Sequence, residues 1–293
     1  MSGEPLLSLP LRPLETIAQP TFLPPPGAWD THVHVFGPAE RYPHVKKPHY
    51  TLPDGTLAQY RCLMPRLGIE KFVIVQPSYY GTDNSCLLDA LAEVGDRARG
   101  VVMIEPDVTH AELSGLHRRG VRAVRLDLFK RAHQPLASTK THITQMAARV
   151  GPLGWHLQFY APGYVVRDLI HFLGTLQIDF VIDHMGYMLE EDGLRSADFS
   201  ALLDLLGGGR CYLKLSGAYR IAKGRGYEYV EPVARAIVER APERAIWGSD
   251  WPHISYSDRD TGELLSLLER WAPSERARRQ ILVENPNRLF GEL

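Results

Sequence analysis

The sequence predicts an α/β fold, a (β/α)8 TIM barrel of parallel strands surrounded by helices. Short apolar runs rich in β-branched residues alternate with longer stretches of helical periodicity, a pattern typical of repeated strand-helix units. Eight such units fill about 260 residues, close to the ~250 residues usual for this barrel. An open doubly wound sheet is the rival fold, but the first strand-to-helix turn lacks its G-x-G-x-x-G sequence.

The predicted elements alternate regularly along the chain. Strands are predicted at 29–35, 71–77, 100–105, 123–128, 156–160, 180–183, 211–215 and 245–248. Helices are predicted between them, for example at 85–94, 139–149, 165–173, 199–206 and 229–239. Residues 28–293 are therefore expected to form a single barrel domain.

Proline is concentrated before the first strand, with seven of the 22 prolines in the first 28 residues. Because proline fixes φ and removes a backbone donor, residues 1–27 are predicted to form an extended arm. Such an arm could pack on its own barrel or reach over a neighbouring subunit. The sequence therefore leaves the oligomeric state open.

The composition excludes several classes of protein. The 293 residues include 33 basic and 34 acidic side chains, so no global field favours nucleic acid or a membrane surface as a partner. No uncharged apolar run approaches the ~18 to 20 residues that span a bilayer. The N-terminus has acid and proline where a signal peptide is basic and then apolar, and three widely spaced cysteines suit no disulfide framework. We expect a cytoplasmic protein that binds a small molecule.

Polar side chains at the predicted strand ends suggest chemistry, because the active site of such a barrel lies where its strands end. His32 and His34 are two apart in strand one and so share a face, although such a pair alone is more often two hydrogen-bonded polar residues. His184 follows strand six and Asp250 follows strand eight. Together they form a set suited to holding zinc or activating water. Separately, Asp250 could cap a helix and His184 could bond Asp183.

Arginines at the strand ends indicate an anionic ligand. Arg125 alternates with Val124 and Leu126 in an apolar strand, so its side chain is expected to enter the barrel mouth. A buried guanidinium needs an anion and binds a carboxylate at two points. With Arg131 and Arg220 it predicts a substrate with two carboxylates or a comparable anion. Further candidate substrate contacts are the hydroxyl groups of Ser78, Tyr79, Tyr80 and Tyr160 and the imidazole of His253.

The segments that carry these residues resemble the amidohydrolase superfamily, and within it the branch of the 2-pyrone-4,6-dicarboxylate lactonases and related lactone hydrolases. The likeness covers about 24–290 and is carried, in order, by PPPGAWDTHVHVFGP, VIVQPSYYGTDN, VRLDLFKR, GWHLQFY, VIDHMG, LKLSGAYR, WGSDWPH and ENPNRL. The resemblance implies a (β/α)8 barrel. It also implies the catalytic set His32, His34, His184 and Asp250, the carboxylate-binding residues Arg125, Arg131 and Arg220, and further contacts from Tyr160 and Ser78.

The chain departs from the wider superfamily in its metal-binding positions. Many amidohydrolases hold two metal ions with a carboxylated lysine after strand four and a histidine after strand five. Here those strands end at Arg125 or Asp127 and at Tyr160. The resemblance therefore implies that no cofactor is required, or that His32, His34, His184 and Asp250 hold a single divalent ion such as zinc. The dicarboxylate lactonases also differ at Tyr79 and Tyr80, where they carry a pair with a histidine.

The resemblance implies an esterase-type reaction, the hydrolysis of an anionic lactone. The first candidate is 2-pyrone-4,6-dicarboxylate, opened to 4-oxalomesaconate in aromatic-compound catabolism. Asp250 would activate water, the three histidines would stabilise the oxyanion of the carbonyl, and the arginines would clamp the carboxylates. The alternatives are a sulfomuconolactone, aldonolactone or aldarolactone as substrate, a metal-dependent decarboxylase, and a barrel that only binds.

Overall fold

The structure, a computed structural model, describes residues 12–43, 55–188, 196–256 and 258–292. Eight strands pair in parallel in the order β1 to β8. They are β1 Trp29–Val33, β2 Lys71–Val75, β3 Ala98–Val102, β4 Val121–Asp127, β5 His156–Tyr160, β6 Phe180–Ile182, β7 Cys211–Leu215 and β8 Ala245–Trp247. A parallel bridge between Val33 and Trp251 joins the last strand to the first. The predicted (β/α)8 barrel is confirmed.

Helices surround the sheet in the described residues. They are α1 Leu57–Leu67, α2 Ser85–Val94, α3 His110–Arg118, α4 Leu136–Val150, α5 Gly163–Leu173, α6 Ala197–Gly207, α7 Ala218–Ala222, α8 Glu231–Arg240, α9 Thr261–Trp271, α10 Glu275–Arg279 and α11 Asn285–Phe290. Capping boxes start α1 and α3. The hydroxyls of Thr56 and Thr109 accept from the backbone amides of Gln59 and Glu112, and the backbone amides of the two threonines donate to the side chains of those residues.

All eight predicted strands are present, but their bounds differ from the prediction by one or two residues at β1, β2, β4, β6 and β8, and most at the third strand. The strands β5 and β7 have the predicted ends, but β3 begins at Ala98 rather than at residue 100 and ends at Val102 rather than at 105. The observed strand begins with Ala98, Arg99 and Gly100, and a charged residue followed by glycine is not typical of a buried strand. Arg99 is accommodated because its Nε donates to the carbonyl of Phe290 at the barrel floor, 3.2 Å away.

The interior of the barrel has an apolar lower part and a polar upper part. Its apolar cluster consists of Trp29, Val73, Val75, Val101, Ala123, Val181, Tyr212, Ile246, Leu289 and Phe290. The last two belong to α11, which closes the floor, and the Phe290 ring stacks on Trp29 at 5.9 Å. Above this layer the buried side chains that face inward are charged or polar. The barrel mouth is therefore the one end where chemistry is concentrated in the described chain.

The described part of the arm, residues 12–27, contains no helix or strand and packs on its own barrel. The Ala18 amide donates to Asp260 at 2.8 Å, and the Thr21 amide donates to Ser266 at 3.1 Å. Arg66 on α1 donates to the carbonyl of Glu15. Among the described residues, no helix combines the length and hydrophobicity needed to cross a bilayer.

Loss of a buried histidine at the floor should reduce the acid sensitivity of the fold. His156 is buried beside Phe290, and burial lowers its pKa to about 3. Below about pH 6 the unfolded chain binds a proton that the folded chain does not, so stability falls as the pH falls, by about 1.4 kcal/mol per pH unit for one proton. We expect His156→Leu to make the free energy of unfolding less steep between pH 6 and 4 in urea titrations.

The matched control for this experiment is His171→Leu, which removes an exposed histidine from α5. It should leave the slope as in the wild type. Equal slopes for His156→Leu and the wild type would contradict the prediction.

Candidate active site

The backbone at three strand ends places the predicted catalytic side chains in the mouth. The β1–β2 register shifts between Asp30 and Val33, an irregularity of the kind that re-aims side chains, and His32 and His34 both face the mouth. His184 follows β6 with φ 51°, and Asp250 follows β8 with φ 63°. Both have left-handed backbones, a conformation that non-glycine residues adopt mainly at functional sites.

These four residues are brought together, as the sequence analysis proposed. The Nε2 atoms of His32 and His34 are 3.2 Å apart, and they lie 3.6 Å and 3.7 Å from Asp250 Oδ1. The rings of His32 and His184 are 5.2 Å apart. All four side chains are buried. Water that enters this space meets a carboxylate oxygen and two imidazole nitrogens at once.

Asp250 is held as a carboxylate by two donors. The Tyr219 hydroxyl and Arg220 Nε each donate to Oδ2 at 2.6 Å, which leaves Oδ1 facing the histidines. Burial alone raises the pKa of Asp250, but the Arg220 guanidinium outweighs burial and holds that pKa well below its usual range. The Asp250 side chain therefore caps no helix. Arg220, which was predicted to bind substrate, binds this carboxylate directly.

The three imidazoles are neutral and have different hydrogen-bond partners. Burial lowers the pKa of His32, lowers that of His34 well below its usual range and lowers that of His184 to about 3. His34 Nδ1 lies 2.8 Å from the Val75 carbonyl, which only accepts, so Nδ1 carries the proton and Nε2 offers a lone pair. His184 Nδ1 bonds the hydroxyl of Ser216 at 2.8 Å rather than Asp183. Its Nε2 is the ring nitrogen available to a ligand.

A buried ion pair lies beneath His32. Lys214 Nζ is 3.1 Å from Asp183 Oδ1 and 3.2 Å from His32 Nδ1, and Gln158 Nε2 donates to Asp183 Oδ2 at 3.0 Å. Lys214, Gln158 and Asp183 are fully or almost fully buried. Burial raises the pKa of Asp183, but the Lys214 ammonium outweighs burial and holds it well below its usual range.

Arg125 enters the mouth, as its alternation with apolar neighbours predicts. Its side chain is buried, its Nη1 donates to the Gln76 carbonyl at 3.0 Å, and its guanidinium lies over the Tyr160 ring at 4.5 Å. Ser78 Oγ lies 3.3 Å from Nη1 and donates to Asp127 Oδ2 at 2.6 Å. Arg125, Ser78 and Tyr160 are thus brought together.

Arg131 lies farther from the catalytic set. Its Nη1 donates to Gln134 Oε1 at 2.9 Å near the surface. It lines a cavity of about 390 Å³ beyond β3 and β4, and Arg125 and Lys130 line the same cavity. The two arginines therefore face one space, which Glu105 and Asp127 also line.

The remaining predicted contacts lie around this centre rather than in it. Tyr79 and Tyr80 are buried with their rings edge to face at 6.1 Å, and the Tyr80 hydroxyl accepts from the Gly37 amide. His253 is buried and bonds Thr261 at 2.9 Å, with Tyr219 at 3.4 Å on its other nitrogen. The structure places His253 behind Tyr219 and Asp250.

The histidine and aspartate groups suit a metal ion in donor type and spacing. Ligand atoms of His32, His34 and Asp250 lie within 4.8 Å of one another, and so do those of His32, Asp183 and His184. Nitrogen and carboxylate donors of this kind bind zinc. The lone pair of His34 Nε2 already faces the first group.

Sequence reasoning missed Lys214, Gln158 and Tyr219 as parts of the site. The signal for the first two was present, because each alternates with apolar neighbours in a strand, as Arg125 does. In β7 the buried run around Lys214 is Tyr-Leu-Lys-Leu, and in β5 Gln158 lies between Leu157 and Phe159. The bond from Tyr219 to Asp250 depends on loop geometry, for which the sequence carries no periodic signal.

A methyl group at Gly217 should displace His184. Gly217 has φ +62°, and a Cβ there would lie 2.6 Å from His184 Nδ1. We expect Gly217→Ala to break the bond between His184 and Ser216 and to shift the His184 ring signals in NMR spectra. The free energy of unfolding should fall by about 1 to 3 kcal/mol, from the left-handed backbone and the clash together.

Gly224→Ala is the matched control, because Gly224 has φ +83° with open space around it. It should carry only the backbone cost and leave the His184 signals in place. Equal losses of stability in the two variants, with the His184 signals unchanged, would contradict the prediction that a Cβ at Gly217 displaces His184.

Comparisons with known proteins show similarity to lactone hydrolases. A 4-sulfomuconolactone hydrolase from Hydrogenophaga intermedia is 39% identical over 277 residues, which cover 93% of this chain and 91% of that protein. A 2-pyrone-4,6-dicarboxylate hydrolase from Comamonas testosteroni is 34% identical over 285 residues, 93% of each chain. A solved structure described as a 2-pyrone-4,6-dicarboxylic acid hydrolase from Acinetobacter baumannii, with citric acid bound, is 27% identical. It superposes with a TM-score of 0.80 and covers 91% of this chain and 100% of that one.

The family described as amidohydrolase matches residues 29–291, from the first strand to the end of α11. The resemblance found in the sequence motifs is therefore confirmed at the level of the family. With its closed parallel barrel and its histidines and aspartate at the strand ends, the chain belongs to the amidohydrolase family.

Proposed function

We propose that the protein hydrolyses a lactone that bears two anionic groups. The observation that carries the proposal is the carboxylate of Asp250, which Arg220 and Tyr219 hold on one oxygen while the other faces the neutral imidazoles of His32 and His34. A fixed base beside neutral hydrogen-bonding groups suits addition of water to a carbonyl. The relatives named as lactone hydrolases support the same chemistry.

The attacking water is activated by Asp250. Its Oδ1 accepts the proton as the water oxygen bonds to the ring carbonyl, and Oδ2 stays fixed by Tyr219 and Arg220. The collapse of the tetrahedral centre then breaks the ring carbon-oxygen bond, and the proton passes to the leaving oxygen. A positioned base of this kind contributes about 10²- to 10⁴-fold.

The three histidines have separate tasks in this reaction. His184 has Nε2 free of the Ser216 bond, so it is the group we assign to the developing oxyanion. His34 is fixed by its Nδ1 bond to the Val75 carbonyl and lies beside the space that the water enters. A divalent ion held by His32, His34 and Asp250 would polarise the carbonyl and lower the pKa of the water.

Arginine side chains orient the substrate. Arg125 is buried at the mouth and lines the adjoining cavity with Arg131 and Lys130. Arg220 is paired with Asp250, so its charge is already balanced. The guanidinium groups of Arg125 and Arg131 favour a substrate with two anionic groups, and such clamping converts binding energy into orientation.

Two substrates fit this description. The first is 2-pyrone-4,6-dicarboxylate, which the sequence motifs favour. The second is 4-sulfomuconolactone, favoured by the 39% identity of a hydrolase named for it. The experiment is to follow loss of ultraviolet absorbance of each lactone on addition of protein, with and without a chelator, beside a neutral lactone.

Turnover of either dianionic lactone with slow turnover of the neutral one would support the proposal. Turnover of only the neutral lactone would contradict the arginine clamp. Release of carbon dioxide without ring opening would identify a decarboxylase instead.

Replacing the base should remove turnover and keep binding. We expect Asp250→Asn to lower kcat by about 10²- to 10⁴-fold while the Kd of the lactone, measured by calorimetry, changes by less than about threefold. Asp168→Asn on the exposed face of α5 is the control and should match the wild type. Retained turnover in Asp250→Asn would remove Asp250 from the role of base.

Removal of the buried arginine should weaken the substrate complex and its transition state. Arg125→Met should lower kcat/KM for a dianionic lactone by roughly 10- to 150-fold, as loss of a charge-assisted contact costs about 1.5 to 3 kcal/mol. Arg122→Met is the matched control, because Arg122 lies at the other end of the same strand and binds the His117 carbonyl. Equal kinetics for Arg125→Met and the wild type would eliminate the clamp.

A further inference from the structure

A lysine without access to solvent lies directly behind the first catalytic histidine. Lys214 is fully buried in β7, and its Nζ contacts His32 Nδ1 at 3.2 Å and Asp183 Oδ1 at 3.1 Å. It has no exposed surface and does not line the cavity that Arg125 and Arg131 share. The proposed hydrolysis assigns no role to this buried cation.

The contacts of Lys214 determine where the proton of His32 resides. An ammonium group only donates, so His32 Nδ1 must accept from it. The contact of His32 Nε2, on the other side of the ring, independently indicates the same tautomer. His34 Nε2 carries a lone pair because its Nδ1 donates to Val75, so the 3.2 Å contact between the two Nε2 atoms requires the proton on His32.

Asp183 would favour the opposite tautomer if the lysine were absent. Its Oδ1 lies 3.5 Å from His32 Nδ1, and a carboxylate near that nitrogen attracts an Nδ1 proton. Metal-binding histidines commonly have this arrangement, with Nδ1-H donated to a carboxylate and Nε2 free for the ion. In this chain Lys214 Nζ contacts both groups more closely than they contact each other, so its donated bond occupies His32 Nδ1.

We propose that Lys214 is a positioning residue that fixes His32 as the Nε2-H tautomer and places the positive charge of its ion pair behind the ring. The catalytic consequence rests on the proposed function, because a His32 proton that points toward His34 and Asp250 keeps the His34 lone pair and the carboxylate in place. A second consequence concerns metal ions and is independent of the reaction. His32 cannot bind an ion through Nε2 until that proton moves to Nδ1 and Lys214 withdraws.

The tautomer of His32 is the direct test. Protein labelled with ¹⁵N in histidine should show, for His32, a protonated Nε2 and an unprotonated Nδ1 in long-range proton-nitrogen NMR spectra. In Lys214→Met, which keeps the length of the side chain and removes its charge, the proton should move to Nδ1. An Nδ1-H tautomer in the wild type, or the same tautomer in both proteins, would overturn the proposal.

Lys214→Met leaves the buried Asp183 carboxylate without its cation, which destabilises the fold. A second variant avoids this cost. Lys214→Met/Asp183→Asn removes both charges of the pair and retains an acceptor for an Nδ1 proton. It should show the same switch of tautomer. Lys140→Met, on the outer helix α4, is the control and should leave the His32 signals unchanged.

Zinc binding gives a second readout that does not depend on substrate. Zn²⁺ alone, titrated by calorimetry, should bind Lys214→Met and the double variant at least tenfold more tightly than it binds the wild type and Lys140→Met. Equal affinities in all four proteins would show that the lysine does not oppose an ion.

Kinetic measurements distinguish the proposal about Lys214 from the proposed lactone hydrolysis. With an active wild type, Lys214→Met should lower kcat at least tenfold and change KM by less than about threefold. Unchanged kcat would limit Lys214 to a structural role and overturn the positioning proposal. If the wild type turned over no lactone, the proposed function would fail, whereas the tautomer and zinc measurements would still decide the role of Lys214.

Discussion

The ion pair of Lys214 and Asp183 is the interaction on which the geometry of the mouth depends. The two groups lie in the barrel interior without solvent, where a single charge is costly and a pair is stable only with further hydrogen bonds. Gln158 supplies one of these bonds to the carboxylate, and His32 accepts another from the ammonium. From His32 the chain of bonds continues to His34 and ends at the backbone of β2.

The pairing of charges in the mouth also determines which kind of ligand can bind there. Among the described side chains of the mouth, Asp183 is neutralised by Lys214 and Asp250 by Arg220. Arg125 has backbone and hydroxyl partners and an aromatic ring against it, and these partners leave its charge in excess. The guanidinium of Arg125 is therefore available to an anionic group on a ligand.

Sequence alone predicts the barrel and the place of its site, because strand alternation and polar residues at strand ends are local signals. It identifies His32 and His34 but cannot distinguish their roles, since each role is set by a partner on another strand, Lys214 on β7 for one and Val75 on β2 for the other. Arg220 shows the same limit. The sequence motifs place it against substrate, whereas its bond to Asp250 depends on how the loops after β7 and β8 meet.

The floor of the barrel is closed by a helix that is synthesised after every strand. Phe290 and Leu289 complete the apolar cluster inside the barrel, and α11, which carries them, follows all eight strands along the chain. Until α11 is made, the lower interior, including Trp29 from the first strand, lacks its cover and is open to water. The nascent barrel thus exposes apolar surface while its strands are synthesised, and chaperones that bind such surface can act before α11 packs.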